Sequence, residues 1–253
     1  MKYFYLIGIL LSAAFLSCGS QKGISTSRSA EKVVTHRVSY GETWESISRD
    51  FYGDEERAGE LAVFNGRQLQ VLPEAGAGVR IPLTSKDLRA LGKRLDAAEA
   101  YNRGLDLVSE GNYAEAVEEF RCALEVDPQF SDAAFNLGVT YQKLGLHKNA
   151  TTVLRDLVTR SPGNPNYMYA LGHSLFHTGE LNGARRAFLK VLAIDPGHLK
   201  SIFSLATVYE RMGKVKEAQE WWMEYIELDP NSEWTDKARS HLESLLRSGG
   251  GDR

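Results

Sequence analysis

The chain has 253 residues, with 30 Lys plus Arg against 33 Asp plus Glu, a formal charge of -3 and 43% hydrophobic residues. Both signs of charge are interspersed, which excludes the strongly basic balance of a nucleic-acid binder, and the apolar content is that of a globular chain of roughly one to three domains. Its two cysteines, Cys18 and Cys122, are too few for a disulfide-stapled fold or a structural zinc site. At the N-terminus Lys2 precedes an apolar stretch from Phe4 to Leu16. That stretch falls short of the roughly 20 residues a membrane-spanning helix needs, so residues 1–17 are predicted to be an export signal.

The signal closes on Ser17 and Cys18, and this ending resembles the lipobox of bacterial lipoproteins, in which the cysteine is lipidated and becomes the new N-terminus. Phe15 departs from the Leu usual in that family. The resemblance implies cleavage before Cys18, a lipid on Cys18, and attachment to a membrane through acyl chains rather than a spanning helix. Gly19 is compatible with sorting to an outer membrane, the protein then facing the periplasm. Residues 18–32, rich in Gly, Ser, Thr, Gln and Lys, are predicted to be a flexible tether.

Residues 33–82 read as strand, helix, helix, strand. Val33, Val34 and the run from His36 to Tyr40 form a β-like segment that stops at Gly41, and Thr43 caps a helix carrying Trp44, Ile47 and Phe51 on one face. A second helix is predicted over Glu55 to Asn65 with Ala58, Leu61, Ala62 and Phe64 facing in, and Val79 to Pro82 is a returning strand. These residues, with Val38, Tyr40, Glu42, Ser48, Tyr52, Gly53 and Asn65, resemble a LysM domain. The second loop departs from that pattern, having Ala75 and Gly76 with Pro73 earlier. The resemblance implies peptidoglycan or chitin, that is N-acetylglucosamine-containing glycan, bound between two loops. In this chain they are Gly41, Glu42, Thr43 and Trp44, and Leu69, Gln70, Val71, Leu72 and Pro73. Trp44 has two readings, sugar stacking or core packing, and its spacing with Ile47 and Phe51 favours packing.

Residues 83–96 are predicted to be a linker helix. Beyond it Pro128, Pro162, Pro196 and Pro230 recur every 34 residues, as do Gly111, Gly145, Gly179 and Gly213, and Ala116, Ala150, Ala184 and Ala218. A period of 34 with these types in phase is that of tetratricopeptide repeats, here 97–130, 131–164, 165–198 and 199–232. Each type has a mechanical reason. Gly104, Gly138, Gly172 and Ala206 let paired helices approach, the period-34 glycines make the turn, the prolines stop the second helix, and Phe120, Leu154, Phe188 and Trp222 fill the space between. Arg103 stands where Leu137, Leu171 and Leu205 stand in the other copies, so the first repeat is either open at its edge or covered by Leu88, Leu91 and Leu95. Residues 233–247, with Trp234, Ala238, Leu242 and Leu245 on one stripe, read as a capping helix, and 248–253 as a loose tail. The fold class is thus mainly α: a small β-α-α-β module followed by an α-α superhelix.

Such arrays are, by resemblance, protein-binding scaffolds whose first helices line a groove. The groove positions hold Tyr101, Asn102, Phe135, Asn136, Tyr169, His173 and Phe203; the aromatics are read either as partner contacts or as ordinary packing. The carboxylate clamp of chaperone-binding repeats is not expected, because Tyr101 occupies its lysine position. His173 and His177 are spaced i, i+4, but no third ligand is evident in the sequence, so no metal is expected. Cys122 is expected to be half-buried and inert, and Trp221 or Trp222 must face out. No catalytic motif and no cofactor fingerprint is present, and no enzyme is expected. The function that follows is a lipid-anchored cell-envelope adaptor joining peptidoglycan to an unidentified protein or peptide, with no nucleic acid. Alternatives are an assembly factor or pilot for an outer-membrane complex and, with no room for a catalytic domain, a peptidoglycan hydrolase.

Overall fold

The computed structural model describes residues 32–249. The signal segment, Cys18 with its expected lipid and nearly all of the tether therefore lie outside the described residues. Two compact units divide the chain: one runs to Asn102 and adds Glu125–Pro128, the other takes Arg103–Leu124 and everything from Gln129 onward.

In the first unit, β1 (Lys32–Arg37) is followed by α1 (Trp44–Tyr52), a 3-10 turn (Glu55–Arg57), α2 (Ala58–Phe64) and β2 (Gly78–Leu83). The strands pair antiparallel, with Lys32 opposite Leu83 and Arg37 opposite Gly78. Thr43 and Ser46 form the reciprocal capping box that starts α1, and Gly53 ends it at φ 74, the left-handed conformation that favours glycine. Trp44, Ile47, Phe51, Leu61, Ala62, Val79, Ile81 and Leu83 make the core. Two expectations are corrected here. The first strand stops at Arg37 because the chain turns through Ser39 to Gly41, leaving Tyr40 98% exposed. Phe64, expected inside, lies at the helix end 38% exposed, with the Arg80 guanidinium 5.2 Å from its ring.

α3 spans Ser85–Glu110 as one helix of 26 residues, running without interruption from the linker segment 83–96 into the first repeat. Its first half belongs to the small module. Leu91 is buried in that core with Leu88 and Leu95 packed against it, and Arg94 donates to the Phe51 carbonyl at 2.8 Å. The stripe Leu88, Leu91, Leu95 therefore covers the β-α-α-β module, which corrects one of the two alternatives for the first repeat, that this stripe covers it. Arg103, further along α3, pairs with Glu119 at 2.8 Å.

The second unit stacks antiparallel helix pairs: α4 (Tyr113–Val126), α5 (Ser131–Lys143), α6 (His147–Arg160), α7 (Pro165–Thr178), α8 (Leu181–Ile194), α9 (Leu199–Arg211), α10 (Val215–Leu228) and α11 (Glu233–Gly249). The turn glycines Gly111, Gly145, Gly179 and Gly213 all have φ between 72 and 84. Phe120, Leu154, Phe188 and Trp222 are at most 1% exposed. A methyl group added at Gly104, Gly138 or Gly172 would stand 2.6, 2.6 or 2.7 Å from the side chain of Phe120, Leu154 or Phe188, so glycine is what permits these helices their spacing. α11 buries Ala238 and Leu245, whereas Trp234, expected on the same stripe, is 48% exposed. Cys122 is exposed rather than half-buried. Trp222 is the buried member of its pair, and Trp221 is partly buried against the same core rather than free at the surface.

Candidate binding faces

On the first unit, both loops singled out from the sequence meet at Trp44. Its indole N-H donates to the Val71 carbonyl at 2.6 Å, and the ring is 1% exposed. Trp44 thus packs as the helical spacing favoured, and it fastens the second loop to the core. Glu42 and Thr43 are likewise occupied in shaping the turn. The Glu42 carboxylate accepts from the Ser39 amide at 2.7 Å and meets His36 Nε2 at 2.8 Å, and the Thr43 hydroxyl accepts from the Ser46 amide. Gly41 supplies the turn at φ 84. Among the side chains the second loop leaves outward are three apolar ones: Leu69, Val71 and Leu72 are 38%, 50% and 63% exposed. Beside them a cavity of about 130 Å³ is lined by Trp44, Asn65, Arg67, Leu72, Pro73 and Glu74, among others. Asn65 ties α2 to β2 through both ends of its amide, accepting from the Arg80 amide at 2.8 Å and donating to the Arg80 carbonyl at 2.9 Å. Gln70 is exposed on the same loop.

On the second unit, Phe135, Tyr169 and Phe203 occupy corresponding positions of successive first helices and are all partly buried. Each also packs. Phe135 lies 5.2 Å from the Tyr167 ring, Tyr169 lies 5.7 Å from Phe188 and 5.3 Å from His198, and Phe203 meets Trp222, Tyr225 and Trp234 edge to face at 4.7, 5.4 and 5.4 Å. They serve the core and stay partly exposed. Asn136 donates to the Asp132 carbonyl of its own helix at 3.0 Å, so it is already engaged there. Tyr101 and Asn102 fall in the first unit and are not brought together with the other groove residues within one unit.

At the C-terminal end of this row Lys237 sits 3.9 Å over the exposed Trp234 ring, a pairing the sequence reading missed. It also missed His147. The first residue of α6 stacks its ring on His177 of α7 at 4.2 Å, with His173 4.5 Å from His177 and 6.0 Å from His147. Burial, reinforced by His177 and His147, pushes the His173 imidazole down to about 4. His177 is lowered by burial, then by His147 and Arg211. The helical spacing of His173 and His177 was legible, but their third neighbour arrives only through the stacking of one repeat on the next. No described helix is long and apolar enough to cross a membrane.

Models of the tetratricopeptide repeat match residues 104–145, 131–164, 165–198 and 199–232. Among curated proteins, the chain is 24% identical over 181 residues to the protein O-mannosyl-transferase TMTC3 of Homo sapiens, covering 70% of this chain and 20% of that one. It is 29% identical over 178 residues to the inactive peptidyl-prolyl cis-trans isomerase shutdown of Drosophila melanogaster, covering 68% of this chain and 37% of that protein. The chain thus spans well under half the length of either. Among solved structures, MamA from Desulfovibrio magneticus RS-1 is 26% identical, with TM-score 0.53, over 58% of this chain and 83% of that one. YrrB, described as a TPR protein with an unusual peptide-binding site, is 24% identical with TM-score 0.55, over 61% and 79%; that likeness concerns the fold.

Proposed function

From the premise that this chain belongs to the tetratricopeptide-repeat family, we propose that it is a binding adaptor of the cell envelope and not an enzyme. Its repeats are an interaction scaffold. The single observation that carries this reading is the row Phe135, Tyr169 and Phe203, set one repeat apart, with each ring packed against the core and partly exposed. Rings held this way lose little further freedom when a partner chain is laid along them, which is what makes an aromatic row an efficient contact surface. The partner is a protein or peptide segment with apolar side chains to set against those rings.

For the small module we propose glycan binding, with a LysM-like function supported by the β-α-α-β order and by the exposed Leu69, Val71 and Leu72 around a shallow cavity. Sugar rings present a weakly apolar face and many hydroxyls, which suit exposed aliphatic side chains flanked by loop backbone. Lipidation at Cys18 would hold both modules at one membrane surface and raise the effective concentration of each for its target.

The test is co-sedimentation of residues 19–253 with purified peptidoglycan sacculi, comparing the unchanged chain with Leu72→Glu. Deleting the whole module is a poorer comparison, since Leu91 would lose its cover. Glycan binding requires that the unchanged chain pellet with sacculi and that Leu72→Glu stay in solution while keeping its circular dichroism. If neither pellets, the glycan reading fails and the repeats alone define the protein. Tyr169→Ala tests the groove in parallel: cross-linked partners recovered with the unchanged chain should be lost.

A further inference from the structure

We propose that the junction of the second and third repeats is an acid-sensitive joint, formed by His147 of α6 with His173 and His177 of α7. The three rings lie within 4.2 to 6.0 Å of one another, with His147 and His177 only 10° from parallel. Such a stack is favourable between neutral imidazoles and repulsive between imidazolium ions. The Nδ1 atoms of both His147 and His173 are buried and have no hydrogen-bond partner. A neutral ring can leave Nδ1 as its acceptor, at modest cost. At His173 protonation turns that atom into a donor with nothing to receive it, the more expensive condition in a buried place.

The groups acting on the two α7 imidazoles add to the same effect. His173 feels burial first and then His177 and His147; His177 feels burial and then His147 and Arg211, which reaches across from α9. None of these is a carboxylate. Arg211 is held where it is by donating to the Phe176 carbonyl at 3.3 Å with its guanidinium 5.0 Å from the Phe176 ring. On the α5 side the contact is uncharged: Gln142 donates to the Ala170 carbonyl and to Ser174 Oγ, both at 2.7 Å. Among the described residues no three His, Cys, Asp or Glu side chains are placed to share a metal ion. In the unfolded chain His173 takes its proton near 6.5, and in the folded joint only near 4. The unfolded state therefore binds more protons between those values. The joint is at full strength above pH 6.5 and weakens as pH falls through that window.

Two measurements on the full soluble chain test this. Proton NMR titration of the histidine rings should show His173 and His177 resisting protonation, His173 with a midpoint near 4. Urea midpoints at pH 7.5 and 5.0 should fall on acidification, and the triple variant His147→Gln, His173→Gln, His177→Gln should lose at least half of that fall. Hydrogen exchange at pH 5.0, corrected for intrinsic rates, should show α6 and α7 losing more protection than α10. Rings of His173 and His177 that titrate near 6.5 in the folded chain overturn the proposal, and so does an undiminished acid fall in the triple variant. If that variant does not fold, the ring titration of the unchanged chain decides. His173 also lies in the groove proposed above, but these measurements use no partner and stand apart from that reading.

Discussion

Gly138 shows at the scale of one residue why the repeat lattice was readable. A methyl there would stand 2.6 Å from the Leu154 side chain, with Leu154 itself fully buried, so neither side chain nor helix has room to yield. Gly138→Ala is expected to destabilise by about 1–3 kcal/mol, the usual cost of overpacking, read as a lower urea midpoint. Gly92 is the control. It lies within α3, and a methyl added there meets nothing within 4 Å. Gly92→Ala should therefore raise the midpoint, by about 0.5–1 kcal/mol, through helix propensity alone. Asp87 gives a charge counterpart. Burial works to raise its carboxyl, but hydrogen bonds from the Thr84 amide and hydroxyl and from Arg57 at 2.8 Å outweigh it and hold it below the ordinary range. Its contribution is present above the unfolded carboxylate range and lost as pH falls through its depressed value. Asp87→Asn would take from Arg57, whose side chain is 15% exposed, its 2.8 Å carboxylate partner, leaving it Glu60 at 3.6 Å and the Tyr52 ring, and is expected to cost about 1.5–3 kcal/mol at pH 7 in thermal or urea unfolding. Glycine spacing announced itself because the steric demand repeats with the lattice. The roles of Trp44, Glu42 and His147 did not, because each depends on a partner brought close only by the fold.

Among elements, α3 separates what a pattern states from what it leaves open. The stripe Leu88, Leu91, Leu95 was legible as amphipathic, but a stripe names no surface to cover it. Its target is the core of Trp44, Phe51, Leu61 and Ile81, and Arg94 adds donations to the Phe51 and Asp50 carbonyls at 2.8 and 3.5 Å. Those carbonyls belong to the last turn of α1, where a cation is favoured by the unsatisfied C=O groups and the helix dipole. Leu91 is 2% exposed, and Leu91→Ala is expected to cost the small module about 2–5 kcal/mol. Hydrogen-exchange mass spectrometry should then show faster exchange in Ile47–Tyr52 and Val79–Leu83 while peptides covering Leu154 are unchanged. Faster exchange in both would mean that the two cores do not unfold separately. No turn sets the first repeat off from the segment before it: neither glycine nor proline stands at residue 97, so the backbone runs on helically.

For the whole molecule the decisive property is that each repeat rests only on its neighbours, so a change at one end should fade along the stack rather than unfold it at once. α11 is where this can be tested. It brings Ala238 and Leu245 onto the core of the last repeat, stacks His241 on Trp222 at 4.9 Å and places Trp234 5.4 Å from Phe203. Glu210 ties α9 to it, accepting from His241 at 3.0 Å and from the Trp222 indole at 3.3 Å, and Thr235 hydrogen-bonds the Asp229 carbonyl at the turn. Ending the chain at residue 232 removes the contacts made by α11, keeping only the Trp222–Glu210 hydrogen bond, and uncovers Trp222, which is otherwise 0% exposed. Protection should drop most in α10 and α9, less in α8 and α7, and least in α5, with the first unit unaffected in hydrogen exchange. Equal loss in α5 and α10 would show a single cooperative block, contrary to a nearest-neighbour stack. The same gradient bears on function: an acid-weakened joint between α6 and α7 separates the repeat that carries Phe135 from the repeat that carries Tyr169, so loosening it would change the spacing of the aromatic row without requiring any repeat to unfold.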